Sequence, residues 1–286
     1  MPPAGIWVDG LVQSCIYMTM AFGMVLVFSI LGILNWTHGQ FYMLGAFVLY
    51  YAVTAGIPFP LGLLVSGIVI GGLGMLFERI IIKPLNTPPY GALYVTVATL
   101  ALIFFFEGAA GLAFGLLPKG LATVLSGAIS LGSFDITYQR LAVIIFTLVV
   151  MSAMYFVLSS TKVGLAIRAV AQEPVAASLY GISAARVSVT VMGIGCALAA
   201  MAGGIIAPVH SVEPFMGRIP MIMSLLAIVI GGLGSLTGAI VGAIILGVLN
   251  SVIAYKISFW SEVVLFMLVI IILLVRPQGL FGAAAK

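Results

Sequence analysis

Apolar runs close to the length needed to cross a bilayer recur from one end of this 286-residue chain to the other. They fall at about 11–33, 39–56, 61–78, 91–107, 141–158, 187–207, 236–254 and 261–275, with a shorter run at about 219–231 that reads as a half-helix or a full span. A hydrocarbon core about 30 Å thick takes roughly 20 helical residues to cross. A chain that supplies such runs eight or nine times has a membrane as its solvent. Composition agrees: 63% of residues are hydrophobic and 6% are Asp, Glu, Lys or Arg, against about 25% charged residues in a soluble domain. The fold class is therefore all-α and polytopic, with about eight or nine transmembrane passages. No polar tail, coiled coil or low-complexity tract marks a second domain, so residues 1–286 form a single membrane domain.

Breaks and charges set the course of the chain. Pro58 and Pro60 separate the second and third helices, and Leu85-Asn86-Thr87-Pro88-Pro89 precedes the fourth. Residues 108–140 form a longer segment, with turns at 116–120 and 131–135 and a stretch at 121–130 that suits the interface. Lysine and arginine orient the whole. With the N-terminus outside and nine passages, Arg79, Lys83, Lys162, Arg168, Arg186, Arg276 and Lys286 lie in the cytoplasm, against Lys119, Arg140, Arg218 and Lys256 outside. The opening Met1-Pro-Pro-Ala-Gly has no basic region of the kind that precedes a cleaved signal, so the first apolar run is expected to remain as a span. The tetrapeptide Gly-Gly-Leu-Gly stands at 71–74 and again at 231–234, either the trace of a degenerate repeat or a chance recurrence in a chain with 34 glycines.

Catalysis finds little support. His38 and His210 are the only histidines, and Cys15 and Cys196 lie in separate apolar runs, so no metal ligand set is visible. A phosphate-binding loop needs Gly directly before its Lys. The residues before the five lysines are Ile82, Pro118, Thr161, Tyr255 and Ala285, so this chain binds no cofactor of that kind. The scattered basic residues give no footprint for nucleic acid.

Three features stand out instead. Between two spans, residues 162–173 read as a basic helix, Pro174 suits the first turn of a second helix over 174–180, and Gly181 a stop. Small Ala176 and Ala177 would let another protein approach closely, with Leu179 and Tyr180 as apolar anchors. Such a knob fits transmission of motion from a soluble motor, or a plain interfacial connector. Asn35, His38, Gly39 and Gln40 form a polar cluster that is costly in hydrocarbon unless satisfied, and reads as a turn near the headgroups or part of a gate. Gly234, Gly238 and Gly242 stand four apart, as do Gly67 and Gly71, which favours close helix packing over a direct role in a pore. Glu78, Arg79, Glu107, Arg140 and Glu262 fall at expected helix ends. With no acid expected at mid-membrane, a proton-coupled carrier is disfavoured.

Three stretches carry a family resemblance: Gly32-Ile33-Leu34-Asn35-Trp36-Thr37-His38-Gly39-Gln40-Phe41-Tyr42-Met43-Leu44-Gly45-Ala46; Arg168-Ala169-Val170-Ala171-Gln172-Glu173-Pro174 with Ala176-Ala177 and Gly181-Ile182; and Gly231-Gly232-Leu233-Gly234-Ser235-Leu236-Thr237-Gly238-Ala239. Through them the chain resembles the permeases of branched-chain amino acid ABC importers, specifically the shorter of the two. The family often has Glu where Gln40 stands and Pro where Thr237 stands. The resemblance implies a bacterial inner-membrane complex with a second, homologous permease, two ABC ATPases that bind ATP and magnesium, and a periplasmic substrate-binding protein. It implies that the loop 159–186 is the cytoplasmic coupling loop, with Glu173, Pro174, Ala176, Ala177, Tyr180 and Gly181 facing the ATPase. Relatives of this kind import branched-chain amino acids, other amino acids, urea or amides. A secondary transporter or channel is the alternative from a different class.

Overall fold

The computed structural model describes residues 4–121, 127–130 and 135–281. Its helices are α1 (Ala4–Leu31), α2 (His38–Thr54), α3 (Phe59–Phe77), α4 (Lys83–Leu85), α5 (Gly91–Phe114), α6 (Tyr138–Ser160), α7 (Lys162–Gln172), α8 (Pro174–Leu179), α9 (Ala184–Ile206), α10 (Arg218–Gly231), α11 (Leu236–Lys256) and α12 (Ser261–Val275). Helix α3 passes through one π-helical turn, Glu78–Ile82, into α4. Six helices among the described residues are long and apolar enough to cross a membrane. Helices α2, α10 and α12 are apolar too, but shorter, at 17, 14 and 15 residues. The chain is thus an all-α, multi-pass membrane protein.

Two departures from the sequence reading concern the fold. Helix α5 does not stop near residue 107 but runs on to Phe114, because Glu107 is buried against partners instead of ending the helix in water. In the 108–140 segment, β1 (Ala128–Ser130) pairs antiparallel with β2 (Asp135–Thr137), Ile129 opposite Ile136. Residues 122–126 and 131–134, which carry much of the expected interfacial stretch and the second turn, lie outside the described residues.

The packing fixes which ends of the helices share a side. Asp9 and Arg140 pair at 2.8 Å, joining the starts of α1 and α6. Ser251 Oγ donates to the Ile6 carbonyl at 2.7 Å, which places the end of α11 there as well. At the opposite end, Asn86 Nδ2 donates to the Leu31 carbonyl at 3.5 Å, α7 and α8 pack against α9, and the N–H groups of Leu280 and Phe281 donate to Ile230 and Gly231. Arg79, Lys83, Lys162, Arg168, Arg186 and Arg276 therefore belong to loops or helix ends gathered on that side.

Helix α2 is the centre of the bundle. Its apolar residues face every direction, as suits a helix enclosed over most of its surface: Phe41, Met43, Ala46, Phe47 and Leu49 are fully buried, while Leu44, Val48 and Tyr51 form a less buried stripe. It lies against α3 and α9. Small residues allow the approach: a Cβ added to Gly45 would fall on Ala200, and one added to Gly203 on the Tyr42 backbone. Where neighbouring surfaces are as apolar as lipid, such backbone-to-backbone packing replaces the hydrophobic effect as the source of helix association.

Candidate coupling helix and buried polar cluster

Helices α7 and α8 build an exposed elbow between two spans. Thr161 caps α7 by accepting from Gly164 N at 3.1 Å. Glu173 is extended, at φ −153, and starts α8 with Pro174 in its first turn, where a missing N–H costs nothing. At its end, Gly181 N donates to the Ser178 carbonyl and Ile182 N to the Ala177 carbonyl. This is the paired hydrogen bonding of a Schellman stop, and Gly181 holds the φ of +80 that the stop requires. Ser183 then caps α9, accepting from Arg186 N at 3.4 Å.

The side chains of α8 divide differently from the sequence reading. Ala177, expected to face a partner, is only 4% exposed and is packed within this chain, and Ala176 is half-buried. The outward face is made instead by Val175, Leu179 and Tyr180, at 70%, 83% and 88% exposed. Helical spacing accounts for this: 175 and 179 share a face four residues apart, and 177 lies across the helix from both. Glu173 and Pro174 are also exposed.

The second cluster is a buried one. Asn35, Thr37, His38 and Gln40 are all at most 3% exposed, enclosed within the chain. Asn35 Oδ1 accepts from Thr37 N at 3.1 Å and Thr37 Oγ1 at 2.5 Å, closing a tight turn before α2. Neither ring nitrogen of His38 completes a hydrogen bond among the described residues. Gly39 faces the connection between α9 and α10: a Cβ there would sit 2.5 Å from the Gly217 carbonyl oxygen. Gln40 Nε2 donates to Glu107 Oε1 at 3.4 Å.

Glu107 extends that cluster to a residue the sequence reading placed at a helix end. It is 4% exposed and accepts from Arg218 Nε at 2.6 Å and Nη2 at 2.5 Å. An acid inside a spanning helix thus exists, but it is matched by a guanidinium in side-on, two-point geometry, the form that best offsets loss of solvent. Nothing in the sequence joins two residues 111 positions apart. The available signal was Glu107 itself, a lone acid following Phe104-Phe105-Phe106. A cavity of about 560 Å³ lies beside this region, with Tyr17, His210, Glu213, Asn250 and Glu262 on its walls. Asn250 Nδ2 donates to Tyr17 Oη there at 2.9 Å.

Four of the five singled-out glycines sit at close approaches. A Cβ on Gly67 would lie 3.0 Å from Met201 Cε, and one on Gly71 3.1 Å from the Gly193 carbonyl oxygen. Gly238 faces the Gly231 backbone and Gly242 the Ala227 carbonyl, joining α11 to α10. Gly234 is the exception. It precedes α11 at φ +87 with nothing within 4 Å of its Cβ position, so it serves the turn and not a helix face.

No group of three or more His, Cys, Asp or Glu residues that could hold a metal occurs among the described residues. The family described as "Branched-chain amino acid transport system / permease component" matches residues 6–273. The chain is 30% identical over 290 residues to the high-affinity branched-chain amino acid transport system permease protein LivH of Salmonella typhimurium, covering 96% of this chain and 94% of that one. It is likewise 30% identical, with the same coverage, to the corresponding protein BraD of Pseudomonas aeruginosa. Among solved structures, PsaBC from Streptococcus pneumoniae shares the fold, with a TM-score of 0.51 at 10% identity over 93% of this chain and 89% of that one. The chain belongs to the family of branched-chain amino acid transport system permease components.

Proposed function

We propose that the chain is the transmembrane permease subunit of an ATP-driven importer, carrying branched-chain or related amino acids handed over by a periplasmic binding protein. The observation that carries this reading is α8, a short helix rigidly stopped at Gly181 that holds Val175, Leu179 and Tyr180 out from the bundle with no use for them in its own core. Residues 159–186 form the cytoplasmic coupling loop, and the exposed face of α8 seats in a groove on the ATPase. The orientation is supported by six basic residues collected at the α7–α8 end, the pattern of a cytoplasmic face. Two ATPases supply ATP and magnesium chemistry, and a second, homologous permease completes the path. Asn35, His38, Gly39 and Gln40, at the start of the central helix and touching the α9–α10 connection, act as the gate.

Purified complex in proteoliposomes tests the proposal, with ATPases inside and leucine-loaded binding protein outside. Uptake should require both ATP and the binding protein. Uptake of the free amino acid without ATP would sink this reading and favour a secondary carrier.

A further inference from the structure

Arg218 carries donors that the bundle does not use. Nε and one N–H of Nη2 are spent on Glu107, side-on. Of the five N–H groups of a guanidinium, those on the end-on edge between Nη1 and Nη2 meet no protein oxygen among the described residues. The pair is asymmetric: the carboxylate is 4% exposed and the guanidinium side chain 51%. Phe215 fixes the plane from one side, its ring centroid 4.9 Å from the guanidinium carbon. Arg218 lines a groove of about 500 Å³ with Phe104, Leu112 and Phe215 as apolar walls. Gly108 also lines it, with open space where a Cβ would stand.

Depth makes this exposure informative. Glu107 stands seven residues before the end of α5 at Phe114, about 10 Å along the axis at 1.5 Å per residue. Helix α10 runs antiparallel to α11, Gly231 meeting Gly238 and Ala227 meeting Gly242. Continued back along α10, that register brings Arg218 beside the region of Ser251, five residues before the end of α11 at Lys256 and level with the first turns of α1, where Ser251 bonds Ile6. Lipid chains cannot satisfy guanidinium donors, so the free edge calls for water or a polar ligand.

We infer that the groove receives the α-carboxylate of the amino acid in transit, bound end-on by Nη1 and Nη2, with its aliphatic side chain along Phe104, Leu112 and Phe215. This deepens, and rests on, the reading of the chain as an amino acid permease. Two-point recognition of a planar carboxylate is what an arginine fork provides and a lysine cannot. Glu107 brings the local charge near zero, so the site attracts a zwitterion by geometry and not by net charge. Such a site holds its ligand weakly enough to release it, which conduction along a path demands.

The test uses the complete complex in proteoliposomes with leucine-loaded binding protein. Arg218→Lys keeps the charge and loses the fork. The double variant Arg218→Gln with Glu107→Gln removes both charges together, so no buried carboxylate is left unpaired. Both should assemble with the second permease and the ATPases at parent yield, while initial uptake falls about tenfold or more, the scale of one lost charge-assisted, two-point contact. Parent-level uptake in both variants overturns the site while leaving the permease reading in place. Loss of the second permease from either purified variant overturns it in favour of a subunit contact. A parent complex that fails to transport the amino acid at all would remove the permease reading, and this site with it.

Discussion

Leu179→Ala isolates the coupling role of α8 from everything else the chain does. Leu179 is 83% exposed, so within this chain the substitution removes almost no packing, and insertion and folding should be unchanged. If the same side chain is buried in an ATPase groove, truncation withdraws three carbons at about 0.8 kcal/mol each. Allowing for incomplete cover at an interface, the loss is about 2 kcal/mol, roughly 30-fold in affinity at 1.4 kcal/mol per decade. Tyr180→Ala should do at least as much, since tyrosines anchor interfaces disproportionately. The assay is retention of the ATPase on purified permease across a dilution series, paired with initial uptake rate in proteoliposomes. Both should fall together while permease yield and thermal stability stay at parent values. Ala177→Trp is the control. Because Ala177 is buried within the chain, the ring overpacks α8 against its own bundle, costing about 1–3 kcal/mol, and stability falls along with docking. Parent-level ATPase retention in both Leu179→Ala and Tyr180→Ala would show that the exposed face of α8 is not the docking surface.

A cysteine at Ser178, in a background lacking Cys15 and Cys196, should resist impermeant reagents applied to intact cells; rapid labelling from outside would invert the topology. Gly238→Leu should lower folding yield and thermal stability, because its side chain would have to occupy the space of the Gly231 backbone; unchanged values would mean that α10 and α11 do not meet there. Gly181→Val places a β-branched residue at φ +80 and should cost about 1–3 kcal/mol locally, read as faster proteolysis of the 173–183 loop. Arg218→Gln should destabilise the purified protein by several degrees, since it strands the buried Glu107 carboxylate, and the double variant with Glu107→Gln should recover most of that loss; an equal or larger loss in the double variant would refute the pairing.

The helices were legible because hydrocarbon imposes a length and a polarity on every residue in turn. The spans at 261–275, 236–254 and 187–207 needed shifts of three residues or fewer at either end. The elbow at 162–181 was legible for a local reason too: Thr161, Pro174 and Gly181 each act on backbone within a few residues. What was hidden depends on partners distant in sequence. Glu107 reads as a helix end until Arg218 is brought to it. Ala177 reads as a docking residue until the bundle beneath α8 is in place. Gly234 resembles Gly238 in a four-residue spacing, yet only its φ shows that one makes a turn and the other a contact. The Asn35–Gln40 cluster was recognisable as polar, whereas its burial follows from the α9–α10 connection folding over Gly39.

The enclosure of α2 bears on how the protein is made. A helix enclosed over most of its surface cannot take its final place until its neighbours exist. Ala184, the first residue of α9, is 130 positions beyond Thr54. At about 5–20 residues per second of synthesis, α2 waits roughly 7–26 s in the bilayer or beside the insertion machinery, with His38 and Gln40 at its start and no Gly203 or Ala200 to lie against. Its 17 residues are thus selected for two environments in succession, lipid first and protein afterwards. This accounts for a helix that carries no charge and confines its polar groups to His38 and Gln40 in the first turn, three tyrosines beyond it and Thr54 at its end, although its native neighbours could have satisfied more.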